Sequence, residues 1–179
     1  MFEVKPKYLP KYLPFAEVLA ILEKAKSHSY RDYILILTLT RTGMRVSDVV
    51  KFRKKDIIDG NIIIRQGKGG KDRVIPLEPE LGNILGLFMD QMAPSKRVFA
   101  ITQRQVRNIV YNHAGKEVHP HTLRHSFAVH CLKSGMNLRS LQRMLGHNSI
   151  TTTQIYLDLT AQDVKEDFKK VNWGKVSER

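Results

Sequence analysis

Residues 62–77 read Ile-Ile-Ile-Arg-Gln-Gly-Lys-Gly-Gly-Lys-Asp-Arg-Val-Ile-Pro-Leu, two β-branched runs separated by a glycine-rich basic segment. β-Branched residues favour strands, and glycines between two such runs favour a reversal of the chain. The pattern therefore predicts an antiparallel hairpin. Its tip, residues 67–71, carries Lys68 and Lys71.

Most of the remaining sequence is periodic in the manner of helices. Phe15, Val18, Leu19 and Leu22 recur at i, i+3, i+4 and i+7, which predicts a first helix. Further helical patterns cover 78–92, 102–114, 121–134, 138–145 and 150–158. The apolar run Tyr33–Leu37 fits either a strand or a buried helix. The fold class is therefore α+β, mostly α-helical, with one small antiparallel sheet packed on a helical bundle.

Local signals place the ends of two of these helices. Gly135 and Gly146 stand where a helix would stop, and Asn137 stands where the helix over 138–145 would be capped. We therefore expect two short connections, one on each side of that helix.

The charge balance favours a polyanionic partner. The chain has 30 Lys and Arg against 17 Asp and Glu, a net charge of +13, and the excess is spread along its whole length. Basic side chains that neutralise phosphates also release condensed counterions, which drives binding to nucleic acid. A basic protein without such a partner remains the alternative.

Cysteine usage and hydropathy point to the cytoplasm. Cys131 is the single cysteine, which excludes an intramolecular disulfide and fits a reducing compartment. The first residues lack the apolar core of a secretory signal, and the longest apolar run is far too short to span a membrane. We expect a soluble cytoplasmic protein, nucleoid-associated when bound to DNA, without a membrane partner. The single cysteine leaves no Cys pair that could bind a metal, and we expect neither metal nor cofactor.

Two segments place cationic side chains at helix starts. Thr42–Asp48 puts Arg45 just after a glycine turn, with the carboxylate of Asp48 three residues on. His121 and Arg124 are separated by three positions, which puts both on one face of a helix. A solvated surface pair would have the same spacing. The pair therefore indicates a functional site only in combination with the other polar residues described here.

A third segment adds a histidine and a tyrosine. Leu145-Gly146-His147 ends one predicted helix, and Thr151-Thr152-Thr153-Gln154-Ile155-Tyr156 leads into the next. The polar residues of these three segments, together with Lys68, resemble those of the tyrosine recombinase (phage integrase) family. The resemblance lies in their order along the chain and in the residues that surround each of them. The resemblance runs from about residue 13 to 160.

This resemblance implies a domain organisation. A lead-in or linker remnant over 1–14 would precede a tyrosine recombinase catalytic domain over 15–160, and an amphipathic tail over 161–179 would follow it. Family members usually carry a further helical DNA-binding domain before the catalytic one. Only about fourteen residues precede the first predicted helix here, so we expect weak and strongly salt-dependent affinity for DNA.

The resemblance also implies six catalytic residues around one phosphate: Arg45, Lys68, His121, Arg124, His147 and Tyr156. The two arginines would hold the phosphate, and the two histidines would assist proton movement and stabilise charge. Lys68, with Lys71 as its rival on the same tip, would protonate the departing oxygen while Tyr156 attacks. Asp48 would brace the scaffold.

Elementary chemistry agrees with these roles. A phosphodiester that reacts without a metal needs fixed cations where negative charge grows in the transition state. A tyrosine, with a reference pKa near 10, needs a base or nearby positive charge to attack at neutral pH. We therefore expect a site-specific recombinase that cleaves and rejoins DNA through a 3′-phosphotyrosyl intermediate. A type IB topoisomerase-like enzyme and a DNA-binding protein without catalysis are the alternatives.

Further residues are expected to position double-stranded DNA, with a solvated basic face as the competing interpretation: Lys71, Arg73, Gln103, Arg104 and Arg107. We expect a homotetramer on DNA and a monomer or weak oligomer without it. The tail repeats apolar Val164, Phe168 and Val171 at helical spacing, and could dock either on its own chain or on a neighbouring protomer.

Overall fold

The structure, a computed structural model, describes residues 11–65 and 72–146. Within these ranges the elements follow in chain order: α1 (Phe15–His28), α2 (Tyr30–Thr42), α3 (Val46–Val49), a 3-10 turn (Lys54–Asp56), β1 (Ile57–Ile58), β2 (Asn61–Ile64), β3 (Arg73–Pro76), α4 (Pro79–Phe88), α5 (Gln103–Ala114), α6 (Pro120–Lys133) and α7 (Leu138–Leu145). The α+β, mostly helical class is confirmed.

The ambiguous run Tyr33–Leu37 belongs to a helix, α2. Its residues from Ile34 to Thr40 are all buried, because α2 packs against α1, α4 and α6 on several sides. Burial all round removes the alternation of polar and apolar faces from which a helix is normally inferred. The hydroxyl of Ser29 caps its start by accepting from the N–H of Asp32, and left-handed Gly43 ends it.

The predicted hairpin pairs as expected. β2 and β3 are antiparallel with Ile62 opposite Ile75, and both of these side chains are buried. A third strand, β1, was not predicted and pairs with the other edge of β2. Asp59 and Gly60 connect β1 to β2 and both have positive φ, as a two-residue hairpin turn requires. The tip of the predicted hairpin lies outside the described residues.

Most helix ends agree with the sequence. Thr102 accepts from the N–H of Gln105 at the start of α5, and Asn137 caps α7 by accepting from the N–H of Arg139. The helix predicted over 78–92 was too long, since α4 ends at Phe88.

The carbonyls just after the end of α4 have a partner outside the helix. The ammonium of Lys54 donates to the backbone oxygens of Met89 and Asp90, both at 3.0 Å. The helix predicted over 150–158 lies outside the described residues.

The packing brings two helix ends together over α6. α6 packs against α2 and α7, and α7 also packs against β3. Leu13 is buried ahead of α1 and donates its N–H to the hydroxyl of Ser126 on α6, so the last residues of the predicted lead-in join the core. Among the described helices, none is both long and apolar enough to cross a bilayer.

Candidate active site

Arg124 holds the ends of α2 and α7 together. Its side chain projects from α6 and is buried, with 3% of the residue exposed. Nη1 donates to the carbonyl of Gly43 at 2.5 Å, and Nη2 donates to the carbonyl of Leu145 at 2.7 Å. Both acceptors lie at helix C-termini, where the helix dipole favours a cation. The guanidinium is therefore fixed in orientation before any ligand arrives.

Arg45 is held at both its backbone and its side chain. It occupies the N-cap position of α3, where its N–H donates to Oδ2 of Asp48 at 3.2 Å. Its Nη2 donates to the carbonyl of Gly146, the left-handed residue that ends α7, at 2.7 Å. Burial lowers the pKa of Arg45, the positive charge of Arg73 lowers it further, and Asp48 opposes both effects. Asp48 thus acts on Arg45 directly, as a bracing carboxylate would.

His121 lies at the surface in the first turn of α6, beside both arginines. Partial burial lowers its pKa, and the positive charges of Arg124 and Arg45 lower it further. An imidazole with a lowered pKa is neutral at pH 7, so one ring nitrogen can accept a proton. The structure therefore brings three of the predicted catalytic residues together: Arg45, His121 and Arg124.

His125 lies next to this group, although no role was predicted for it. Its ring meets that of His121 edge to face, with centroids 4.3 Å apart. Burial lowers the pKa of His125 to about 4, and the charges of His121 and Arg124 contribute to the shift. The signal was available, because a residue four positions after His121 on one helix must lie beside it.

Arg73 is the second residue whose surroundings the sequence did not indicate. It was predicted to contact DNA beside the hairpin, and that role stays a prediction. In the structure its side chain is 4% exposed and forms an ion pair with Asp48 through Nη2 and Oδ2. The site therefore contains one carboxylate near three guanidinium groups within the described part of the chain.

Several predicted residues fall outside the described ranges, and their placement stays a prediction: Lys68, Lys71, His147 and Tyr156. Of these, His147 directly follows Gly146, whose carbonyl binds Arg45.

The residues predicted on α5 are exposed. Gln103, Arg104 and Arg107 lie on its solvent side, and Arg107 donates to Gln103 at 3.4 Å. α5 packs against α3, which Arg45 precedes as its N-cap, and against α6, which carries Arg124. Contact of these three side chains with DNA stays a prediction.

No group of three or more potential metal ligands occurs among residues 11–65 and 72–146. The charged side chains that meet at this site are three guanidinium groups and one carboxylate, with two imidazoles beside them. Guanidinium groups suit an anion with spread charge, such as a phosphate.

Comparison with known proteins agrees with this chemistry. Residues 11–163 match the model of the phage integrase family. The tyrosine recombinase XerA of Pyrococcus furiosus is 38% identical over 182 residues, which cover 93% of this chain and 64% of the relative. The chain thus spans less than two thirds of the length of that recombinase.

Solved structures give the same result for the fold. The crystal structure of XerA recombinase superposes with a TM-score of 0.77 at 28% identity, covering 97% of this chain and 68% of that one. XerH site-specific recombinase, solved bound to palindromic difH substrate as a post-cleavage complex, gives a TM-score of 0.68 at 28% identity, covering 90% and 53%. On the family match, the shared fold and the clustered arginines, the chain belongs to the phage integrase family of tyrosine recombinases.

Proposed function

We propose that this chain cleaves and rejoins double-stranded DNA as the catalytic part of a site-specific recombinase. The observation that carries the proposal is the pair of guanidinium groups of Arg45 and Arg124. Each is fixed by a backbone carbonyl at the end of α7, and His121 lies beside both. Fixed cations need no reorganisation when charge grows on a phosphate, and such preorganised charge is usually the largest single contribution to catalysis.

The reaction follows from this arrangement and the family resemblance. The Tyr156 oxygen attacks phosphorus while its proton passes to a base, a role that a neutral His121 can fill. The bond from phosphorus to the 5′-oxygen breaks, and Lys68 protonates the departing oxygen. The resulting 3′-phosphotyrosyl bond conserves the energy of the phosphodiester, so the reverse attack by a 5′-hydroxyl reseals a strand without a cofactor.

A suicide substrate tests this directly. When DNA is nicked close to the cleavage site, attack releases the short fragment that carries the new 5′-hydroxyl. Religation then lacks its nucleophile, and the covalent complex is trapped. We expect an SDS-resistant adduct at low salt in the presence of EDTA, and we expect Tyr156→Phe to abolish it. Absence of any adduct with a panel of family target sites would contradict the proposal. Exchange of strands between two duplexes, rather than relaxation of one supercoiled circle, would identify a recombinase.

We also propose that the active form on DNA is a homotetramer, joined by the tail over 161–179. An apolar groove of about 480 Å³ lies between α1 and α6, with Phe15 and Leu19 exposed at its edge and Phe127 in its wall. The apolar stripe predicted for the tail would be complementary to such a groove. Light scattering of the DNA complex should show four protomers, and Phe168→Asp should reduce this number; an unchanged assembly would refute the role of the tail.

A further inference from the structure

Arg73 is a buried cation to which the reaction assigns no step. Its side chain leaves β3 and points into the protein, where it is 4% exposed. Nη2 pairs with the carboxylate of Asp48, and Nε is buried without a hydrogen-bond partner among the described residues. A buried ion pair contributes little net stability because both charges lose their hydration, and an unpaired N–H adds to that loss. Stability alone therefore does not explain an arginine at this position.

The contacts of Arg73 coincide with the two points that hold Arg45. The first point is Asp48, whose Oδ2 accepts both from the guanidinium of Arg73 and from the backbone N–H of Arg45. The second is Gly146, whose carbonyl accepts from Nη2 of Arg45. A Cβ placed on Gly146 would lie 2.8 Å from Cδ of Arg73 and 3.5 Å from Nη1 of Arg45. The stem of Arg73 thus packs against the residue to which Arg45 is bonded.

We propose that Arg73 is a positioning residue that fixes the phosphate-binding guanidinium of Arg45, by pairing with Asp48 and by packing against Gly146. The proposal rests on the function proposed above, since it assumes that Arg45 binds the scissile phosphate. This role is an alternative to the predicted contact of Arg73 with DNA. The charge of Arg73 also neutralises Asp48, which would otherwise offer Arg45 a competing anionic partner.

A substrate without charge at the scissile phosphorus separates this role from others. In a methylphosphonate one non-bridging oxygen is replaced by a methyl group, so there is no negative charge for Arg45 to neutralise. Arg73→Met should lower adduct formation on the phosphodiester far more than on the methylphosphonate. The ratio of the two rates should fall by about 10²-fold, as for a cation displaced by about 1 Å. Arg45→Ala should show the same pattern, and adding Arg73→Met to it should change the ratio little.

Arg65→Met is the matched control. Arg65 directly follows the partner strand β2, but its side chain is half exposed and pairs with Asp56. We expect this control to leave the ratio unchanged. A parallel fall of both rates in Arg73→Met would indicate general damage and overturn the proposal. An unchanged ratio would also overturn it if the salt dependence of DNA binding became weaker by about one phosphate contact, because Arg73 would then contact DNA directly.

A second measurement does not depend on cleavage. In spectra of ¹⁵N-labelled protein without DNA, the side-chain signals of Arg45 should report a restrained guanidinium. Arg73→Met should release it to rapid averaging, and Arg65→Met should not. If wild type forms no adduct, the proposed function fails while this spectrum still decides the role of Arg73. Arg73→Lys, which keeps the charge but not the fork, serves for both measurements if Arg73→Met does not fold, and an unchanged Arg45 signal in it would contradict the proposal.

Discussion

Replacing Gly43 by alanine should destabilise the protein through two separable effects. Gly43 ends α2 with φ +60, a conformation that costs an L-residue about 1–2 kcal/mol. The added Cβ would also lie 2.5 Å from Cδ1 of Phe127 and 2.9 Å from Cδ2 of Leu145, and overpacking of this kind costs roughly 1–3 kcal/mol. The free energy of unfolding should therefore fall by about 2–5 kcal/mol, which lowers Tm by roughly 4–20 °C for a chain of this size.

Gly60→Ala provides the control for the backbone effect. Gly60 has φ +70, but a Cβ there would have no atom within 4 Å. This variant should lose only the conformational contribution, about 1–2 kcal/mol. Urea unfolding at one temperature, with unchanged m values, measures both variants on the same scale. Equal losses for Gly43→Ala and Gly60→Ala would refute the close packing of Gly43 against α6 and α7.

Four further substitutions test the charges of the site and of α5. The folded pKa of His125 is about 4 and the unfolded value is near 6.5, so the unfolded chain binds more protons between these pH values. Stability therefore falls as pH falls through this window. The Tm of His125→Asn should fall less between pH 7 and pH 5 than that of wild type, and an identical loss would contradict this. Arg124→Lys keeps the charge but loses the planar fork that spans the carbonyls of Gly43 and Leu145. Adduct formation should therefore drop by about 10²-fold or more with DNA affinity little changed, and wild-type rates would exclude a role in catalysis. Arg104→Ala and Arg107→Ala should each reduce the slope of log affinity against log salt by about one. The control is Arg31→Ala, which should leave the slope unchanged, because Arg31 is an exposed arginine paired with Asp32. Equal slopes in all three variants would show that α5 does not contact DNA.

The sequence predicted those features that depend on near neighbours. The β2–β3 hairpin, the cap at Asn137 and the stop at Gly146 each follow from a few adjacent residues, and the structure confirms them. The missing strand β1 was also accessible, because Asp59-Gly60 is a strong signal for a two-residue hairpin turn. α2 was harder, since a helix buried on all sides carries no amphipathic pattern.

The supports of the site were not accessible in this way. The carbonyl acceptors of Arg124 belong to residues 81 and 21 positions away, and Asp48 lies 25 positions from Arg73. A backbone carbonyl has no sequence signature, so nothing marked Gly43 or Leu145 as a partner. Likewise, the position of Arg73 beside a basic tip predicted an exposed side chain. Its carboxylate partner, Asp48, becomes its neighbour only when the chain folds and brings β3 to α3. The motif residues therefore indicated the chemistry, and the tertiary structure supplied what holds them.

The residue that becomes linked to DNA is the most direct evidence to seek. Wild-type protein trapped on a suicide substrate should be digested with trypsin and nuclease, and the modified peptide sequenced by mass spectrometry. We expect a nucleotide joined through its 3′-phosphate to the oxygen of Tyr156, formed in EDTA and lost in Arg45→Ala and Arg124→Ala. Attachment to any other side chain, or a Tyr156 adduct that forms equally well without the two arginines, would contradict the proposed mechanism.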